Sequence, residues 1–479
     1  MHLSLNPLNV FLTFVISVIC CACTTTTQQP AHPNDLSFQP LVFHVPEVER
    51  VNLDSGISLY LREDNELPLI QLTAMIGSGA LAASIDKAGF DELFAGSWRT
   101  GGTRQRTPAD LEKQIDFLAA NLGAQMGPYF TQIDLSLRAQ DLREGLSIFA
   151  DLLKDPGFAQ ESFELEQIKA QERVRRQNDN PGSVARRLLS AALYPHHYLG
   201  QSPTIQSIAS VTRDDLINFH RTFFAPNNLS LAVSGDFDRK ELIALLEKAF
   251  EGWPKQTVPN ISVDGIITEQ VGGVQVVDRP IPQTTVLVGG LGLTKDHPDQ
   301  YAARVLNYIL GGGSFNSRMM KEIRSNRGLA YSAYSFLQVG RRLPGLFVAG
   351  TETQNGKVVE VLGLIHEIMT SLRENPVSDA ELQLAKESQI NSFVFGFDDS
   401  HAIVVQQMHL DFFNYPDDYL SNYRNRISEV TAQDVQRIAN ELIRFQEQQV
   451  ILVGDSAPYF EQLNRLNLPV KRVTPDGLE

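Results

Sequence analysis

Apolar residues follow two different periods along this chain, and the two patterns alternate in blocks. Short, nearly continuous apolar runs that end in or near glycine lie at 69–79, 229–236, 284–293 and 450–455. Such runs are typical of buried strands. Apolar residues at helical spacing fill the stretches 108–122, 142–153, 161–178 and 380–389, which predicts amphipathic helices.

The order of these signals occurs twice. Thr212 is placed to cap a helix that is followed by the 229–236 run, which ends in Gly-Asp. Thr431 stands in the same relation to the 450–455 run, about 220 positions later. The runs at 69–79 and 284–293 are each followed by a helical stretch that closes at glycines. The chain is therefore predicted to contain two homologous domains.

Strands at the ends of each half, with helices between them, predict an α+β fold. In such domains the helices pack on one face of a mainly antiparallel sheet. The two domains are predicted at 46–252 and 269–479. The linker between them, 253–268, contains Trp253-Pro254 and Pro259-Asn260 and has little periodicity.

The N-terminal segment has the pattern of a secretion signal. An apolar stretch at 10–19 is shorter than the roughly 20 residues that a transmembrane helix needs, and Cys20-Cys21-Ala22-Cys23 follows it. Ala22-Cys23 resembles a bacterial lipobox, which predicts a signal peptide at 1–22 and lipidation of Cys23. The alternatives are a plain cleaved signal peptide and a membrane-anchoring helix. Residues 23–45, rich in Thr, Gln, Pro and Asn near their start, are predicted to be a flexible tether.

Charge and cysteine content limit which partners the chain can bind and which kinds of site it can contain. The net charge is −15 and no Lys/Arg-rich run occurs, which argues against nucleic acid as a partner. All three cysteines lie in the N-terminal segment. Cleavage before Cys23 would leave no pair for a disulfide and no thiolate metal site in the body. The lipid anchor predicts a periplasm-facing lipoprotein of the cell envelope, at the outer membrane because Thr24 is not Asp.

Three stretches carry a resemblance to a known family. The first is Gly-Phe-Asp-Glu-Leu-Phe-Ala-Gly-Ser-Trp-Arg-Thr-Gly-Gly-Thr at 89–103, the second spans 165–200, and the third spans 310–332 and includes Arg-Gly-Leu-Ala-Tyr-Ser. Together they resemble the pitrilysin/insulinase family of zinc metallopeptidases, the inverzincins, whose active members carry His-x-x-Glu-His. The resemblance covers about 51–456 and implies a clamshell of two similar domains.

The catalytic motif of that family is not complete in this chain. In active relatives two His residues one helical turn apart bind zinc, and the Glu beside the second His activates a water molecule. The matching positions here hold Glu92, Ala95 and Gly96. Ala95 cannot take a proton, Gly96 cannot bind a metal, and a lone carboxylate at Glu92 suits zinc poorly.

The remaining candidates for metal binding are weaker. Glu172 falls at the distance of the family's third zinc ligand and is interpreted either as its remnant or as a solvated carboxylate on a helix face. His196-His197 is the only adjacent His pair, and it is expected to be exposed or to cap the chain rather than to bind metal. The sequence thus predicts no metal and no cofactor in this chain, with zinc only in a partner subunit.

The second half matches the family at positions that contact substrate. Arg327 and Tyr331 correspond to the Arg and Tyr that, in the family, reach across the clamshell and stabilise negative charge on the scissile carbonyl. If the segment is helical, their i, i+4 spacing places both on one face. The alternative is a surface cation and a core aromatic residue.

The glycine run in the third stretch has two interpretations. Gly311, Gly312 and Gly313 follow a helix rather than a strand, so a phosphate-binding loop is not indicated. They are expected to end a helix and to let the next segment pass close to the sheet. In two-subunit relatives a comparable loop of the subunit without zinc touches substrate, which implies a peptide-contacting role here.

These features lead to a main hypothesis and two alternatives. The chain is predicted to be the non-catalytic, substrate-binding subunit of a heteromeric metallopeptidase that acts on peptides in the bacterial envelope, beside a His-x-x-Glu-His subunit that carries zinc. It is expected to be inactive alone. The alternative is a peptide-binding or scaffold pseudopeptidase with no proteolytic partner. No residue pattern supports the third option, a protease with another metal geometry.

Overall fold

The computed structural model describes residues 42–261 and 271–477. The predictions for the signal peptide, for Cys23 and for part of the linker lie outside these residues. The described residues from 44 onwards form one compact unit that contains both halves. Within the described ranges, no helix combines the length and the apolar character that a bilayer span requires.

The first half is built on a six-stranded sheet. Its spatial order is β1-β2-β6-β3-β5-β4, in which only β2 and β6 pair in parallel. Strand β4 forms one edge of this sheet. The strands are β1 (Glu49–Asn52), β2 (Ser58–Glu63), β3 (Leu69–Ile76), β4 (Asn121–Met126), β5 (Thr131–Arg138) and β6 (Leu229–Gly235).

The second half repeats this arrangement. Its spatial order is β12-β7-β11-β8-β10-β9, so β7, β11, β8, β10 and β9 correspond to β2, β6, β3, β5 and β4. The predicted duplication and the mainly antiparallel α+β architecture are confirmed. The strands are β7 (Gly273–Asp278), β8 (Gln283–Leu291), β9 (Ala330–Leu337), β10 (Leu346–Gln354), β11 (Gln449–Gly454) and β12 (Val470–Arg472).

Helices connect the strands in both halves. The first half contains α1 (Phe90–Thr100), α2 (Pro108–Phe117), α3 (Leu142–Lys154), α4 (Gln160–Arg176), α5 (Pro181–Leu193), α6 (Ile205–Ser210), α7 (Arg213–Phe223) and α8 (Arg239–Ala249). The second half contains α9 (Gln300–Asn307), α10 (Val358–Glu374), α11 (Asp379–Ser392), α12 (Ser400–Phe412), α13 (Tyr419–Glu429) and α14 (Ala432–Leu442).

Two helices begin at the predicted caps, whereas one predicted helix ends early. The Thr212 side chain accepts a hydrogen bond from the backbone N–H of Asp215, and Thr431 does the same for Asp434, so both predicted caps are confirmed. The helix predicted over 108–122 ends at Phe117 instead. Ala119 adopts a left-handed conformation at φ 48°, which turns the chain into edge strand β4.

Each sheet buries one face under the helices of its own half. In the first half, Phe94, Trp98 and Phe149 are completely buried against the apolar side of the sheet. A second core of the same kind fills the other half, around Leu306, Ile365 and Ile438. The alternation of apolar and polar residues along the strands places a second set of side chains on the opposite faces.

The opposite face of each sheet is covered by one helix from the other half. Helix α5 of the first half packs on the second sheet, where Leu188 and Leu189 join a cluster with Leu287 and Ile451. Helix α12 of the second half packs on the first sheet against β2 and β6. The face of each sheet that receives the other half's helix is called its inner face below.

Candidate functional site

Helix α1 carries the positions that match the zinc motif of the family. It begins after Gly89, whose φ of 93° favours glycine, and it ends at Gly101, before Gly102 with φ 66°. The indole N–H of Trp98 donates to the Leu152 carbonyl over 3.1 Å, which anchors the helix. Packing against β4 and α4 then fixes which side chains face α4.

Gly96 faces a buried carboxylate on α4. A Cβ atom at this position would lie 2.7 Å from Glu166 Oε2 and 3.2 Å from its Cγ, so Glu166 fills the space that a side chain at residue 96 would take. Glu166 is buried, and its Oε1 accepts from Lys169 Nζ over 2.8 Å. Ala95, beside Gly96, is also buried. The motif positions are therefore part of a packed helix–helix contact.

Glu92, on α1, is paired with a cation from α4. The guanidinium of Arg173 contacts the Glu92 carboxylate. Burial raises the pKa of Glu92, and Arg173 acts against that shift. Glu172 is not brought to Glu92: it pairs with Arg175 and Arg176 on its own helix, at 3.2 and 3.4 Å, with 54% of its side chain exposed. The α4 residue that reaches Glu92 is Arg173, one position further along.

These residues do not fit a zinc ion. Ala95 and Gly96 supply no donor atom, and the permanent cation of Arg173 stands beside the one carboxylate of the motif. Throughout residues 42–261 and 271–477, no three His, Cys, Asp or Glu side chains are grouped so that they could hold a metal. His197 accepts the Leu199 N–H at Nδ1 over 3.1 Å, which is the capping role expected for this pair.

The glycine run lies against β9 in the second half. Residues Tyr308–Gly312 form a π-helical turn. A Cβ atom at Gly311 would lie 2.2 Å from the Ser335 backbone nitrogen, so glycine is required for the close approach of this turn to the sheet. The Ser335 hydroxyl bonds to the Asn307 side chain over 2.8 Å and fixes the contact.

Arg327 and Tyr331 do not share a helix, so their i, i+4 spacing does not place them on one helical face. The preceding π-helical segment ends at Asn326, Gly328 has φ 62°, and β9 starts at Ala330. Tyr331 is 84% exposed, which also excludes the core-aromatic alternative. Arg327 is a surface cation whose Nε lies 3.9 Å from Glu322 Oε2.

An aromatic surface that the sequence did not predict surrounds Tyr331. The guanidinium of Arg324 lies between two rings, 4.7 Å from the centroid of Phe315 and 4.8 Å from that of Tyr331. Tyr334 and Phe336, 42% and 55% exposed, follow on β9. Their pairing with β10 places them on the inner face of the second sheet. We call these four aromatic residues and Arg324 the β9 aromatic surface.

The part of the first sheet's inner face that α12 does not cover is polar. Register pairs Thr73 with Asp134 and Asp134 with Gly123, so all three point to this face. A cavity of about 340 Å³ opens there, bounded by β3, β4 and β5 and by His401 from α12. No spacing rule predicts this group, because His401 is far from the other residues in sequence.

Hydrogen bonds orient the charged residue of that cavity. The Thr73 hydroxyl donates to Asp134 Oδ1 over 2.6 Å, so its oxygen accepts from His401 Nε2 over 2.9 Å. His401 Nδ1 then accepts from the Ser234 hydroxyl over 3.0 Å. Burial lowers the pKa of His401, with Asp134 acting against the shift, so this imidazole is neutral at pH 7.

Comparisons with known proteins agree with this architecture. Residues 75–204 match the family model described as insulinase (peptidase family M16), and residues 210–389 match the one described as the peptidase M16 inactive domain. A fold of two duplicated α+β halves, with the motif helix in the first, is that of an M16 peptidase-like protein. The chain belongs to the M16 (insulinase) family.

Relatives and solved structures extend over most of the chain. An uncharacterised zinc protease of Mycobacterium leprae is 28% identical over 350 residues, which are 71% of this chain and 77% of that protein. The peptidase M16 inactive domain from Pseudomonas fluorescens matches with a TM-score of 0.76 and 24% identity over 85% of this chain and 98% of that one. The first half of the periplasmic protease PqqL from Escherichia coli matches with a TM-score of 0.72 and 14% identity, over 87% and 93%.

Proposed function

We propose that this chain is a non-catalytic, peptide-binding subunit that works with a separate zinc-bearing M16 subunit in the cell envelope. The proposal rests on a contrast between the two halves. The motif positions of the first half are closed by packed and charge-paired contacts of Gly96 with Glu166 and of Glu92 with Arg173. The Arg/Tyr block of the second half is exposed and stands beside other exposed aromatic residues.

An open sheet edge gives the peptide a place to bind. The N–H of Gly127 donates to the Phe130 carbonyl in the β4–β5 hairpin, and hydrogen bonding alternates along such a pair. The main-chain groups of Leu122, Ala124 and Met126 therefore point to the open edge. The Leu122 carbonyl already accepts from Arg99 Nε over 2.9 Å. A peptide that adds a strand would bond mainly at Ala124 and Met126.

The names of the relatives support the proposal of a zinc-bearing partner. Several are named zinc proteases, whereas residues 42–261 and 271–477 of this chain offer zinc no fitting ligand set. In a pair, the partner would supply the metal and this chain would hold the substrate. Placement in the envelope rests on the apolar stretch 10–19 and on Cys23, with a lipid anchor as the membrane contact.

The test compares the chain alone with a mixture. The purified chain, with added zinc, and a purified M16 protein carrying His-x-x-Glu-His from the same genome would be assayed separately and together on a fluorogenic peptide library. We expect hydrolysis to require the mixture, and binding of peptides to this chain alone. Zinc-dependent hydrolysis by this chain alone would contradict the proposal. Peptide binding without any effect on the partner would favour the scaffold alternative.

A further inference from the structure

We infer that the cavity on the inner face of the first sheet is a subsite for a Lys or Arg side chain of a bound, extended peptide, with Asp134 as its charged partner. This inference rests on the proposed peptide-binding function and specifies one chemical preference of the substrate. It concerns the first half and shares no residue with the β9 aromatic surface.

The cavity is built from polar groups around one carboxylate. Side chains of Gln71, Asn121 and Ser136 line it together with Asp134 and the His401 ring. The lining contains no Lys or Arg, and His401 is neutral because burial lowers its pKa. The cavity therefore carries a single negative charge and several uncharged acceptors, which suits a cationic hydrogen-bond donor.

Asp134 is held in place and still has capacity to accept. Its Oδ1 accepts from Thr73 over 2.6 Å, and the Gln132 amide donates to both oxygens over 2.9 and 3.1 Å. An ionised carboxylate offers about four acceptor sites, and these contacts use three of them, so one site is left, on Oδ2. Since Thr73 is fixed in turn by His401, little side-chain entropy is lost when a ligand binds.

Gly123 opens a path from the sheet edge to Asp134. It is the β4 residue paired with Asp134, and a Cβ atom there would meet no atom within 4 Å. A peptide strand added beside β4 would place one side chain opposite Gly123 on the inner face. Neighbouring strands lie about 4.8 Å apart, so this peptide residue would be about 10 Å from β5. The long side chains of Lys and Arg cover that distance across a glycine, whereas short side chains do not.

Three labelled peptides test the preference. Each has the sequence Thr-Val-Thr-X-Thr-Val-Thr with an N-terminal fluorescein, and X is Lys, norleucine or Glu. Binding to the purified full chain is measured by fluorescence anisotropy at low salt. We expect the Lys peptide to bind about 10-fold or more tightly than the norleucine peptide, as for a charge-assisted hydrogen bond, and the Glu peptide to bind weakest.

Two variants locate the effect. Asp134→Asn keeps the size of the side chain and should reduce the affinity for the Lys peptide to that for norleucine. The matched control, Asp116→Asn, removes the same charge from the exposed side of α2 and should change nothing. Gly123→Leu should block the path, and the open space at this position predicts an unchanged melting temperature.

The outcomes separate this inference from the proposed function. If none of the peptides binds, the peptide-binding function itself fails. If all three bind equally, or if Asp134→Asn retains the preference for Lys, the function stands and the subsite is overturned. Should Asp134→Asn not fold, a folded Gly123→Leu variant that retains the preference for Lys overturns the subsite by itself.

Discussion

Restoring one zinc ligand should destabilise this protein rather than bring it closer to an enzyme. Gly96→His places an imidazole where the Glu166 carboxylate now lies, 2.7 Å from the position of the first added carbon. Glu166 is buried between α1 and α4 and bonded to Lys169. The imidazole therefore displaces Glu166, or α4 moves.

The magnitude follows from three contributions. Overpacking a closed interface costs about 1–3 kcal/mol. Loss of the ion pair between buried Glu166 and half-exposed Lys169 costs up to about 1 kcal/mol. Replacing a helical glycine with His returns about 0.3 kcal/mol through backbone entropy. We expect the free energy of unfolding to fall by about 1–3 kcal/mol, since packing dominates the sum.

Equilibrium urea unfolding measures this change. The fluorescence of Trp98, which is fully buried on the same helix, reports the transition. Gly363→His on α10 is the matched control, because a Cβ atom at Gly363 meets no atom within 4 Å. The control variant should be as stable as the original chain or slightly more stable.

The double variant Gly96→His/Glu166→Ala provides the decisive comparison. Removing the Glu166 side chain makes room for the imidazole, so this protein should be more stable than the Gly96→His single variant. If Gly96→His is as stable as the original chain, or if Glu166→Ala adds to the loss, Glu166 does not occupy the space at residue 96 as described.

Three further results are expected. Tyr331→Phe and Arg327→Ala should each lower turnover of the mixed peptidase by about 10²–10³. The melting temperature should not change, because both side chains are exposed. Full activity of the variant that carries both Tyr331→Phe and Arg327→Ala would refute a substrate role. His220 and His409 have pKa values lowered to about 4 by burial, so the folded chain binds fewer protons and its unfolding free energy should fall as pH drops from about 6.5 to about 4. His409→Gln should reduce that slope without removing it, because burial also lowers the pKa values of His197 and His401; a curve identical to the original would contradict this. Added zinc should leave the melting temperature unchanged, whereas a concentration-dependent rise would reveal a site in the folded chain.

Much of the fold could be predicted because its signals are local. The Thr212 and Thr431 caps and the glycines after α1 act within a few residues, and the structure retains them. The helix predicted over 108–122 includes the first two residues of β4, because their pattern is also compatible with a helix. Pairing with β5 makes these residues a strand, and that pairing is a tertiary contact that local sequence does not encode.

The candidate site could be predicted only in part. Motif positions at Glu92, Ala95 and Gly96 follow from the order of residue types. Counting along α4 selected Glu172, but a shift of one residue turns a side chain by about 100° around a helix, and Arg173 faces the motif instead. The contacts between Phe315, Arg324 and Tyr331 arise where a turn meets a strand, which no periodicity describes.

The reciprocal placement of α5 and α12 has a consequence for the origin and the integrity of the molecule. Each half lacks the cover for one face of its own sheet and receives it from the other half. Either half expressed alone would expose that apolar patch and should aggregate or associate with a second copy. The exchange is also the pattern left when two copies of a domain-swapped dimer become fused in one gene. The ancestral protein would then have been a symmetric homodimer, and only after fusion could the sequences of its two halves diverge independently.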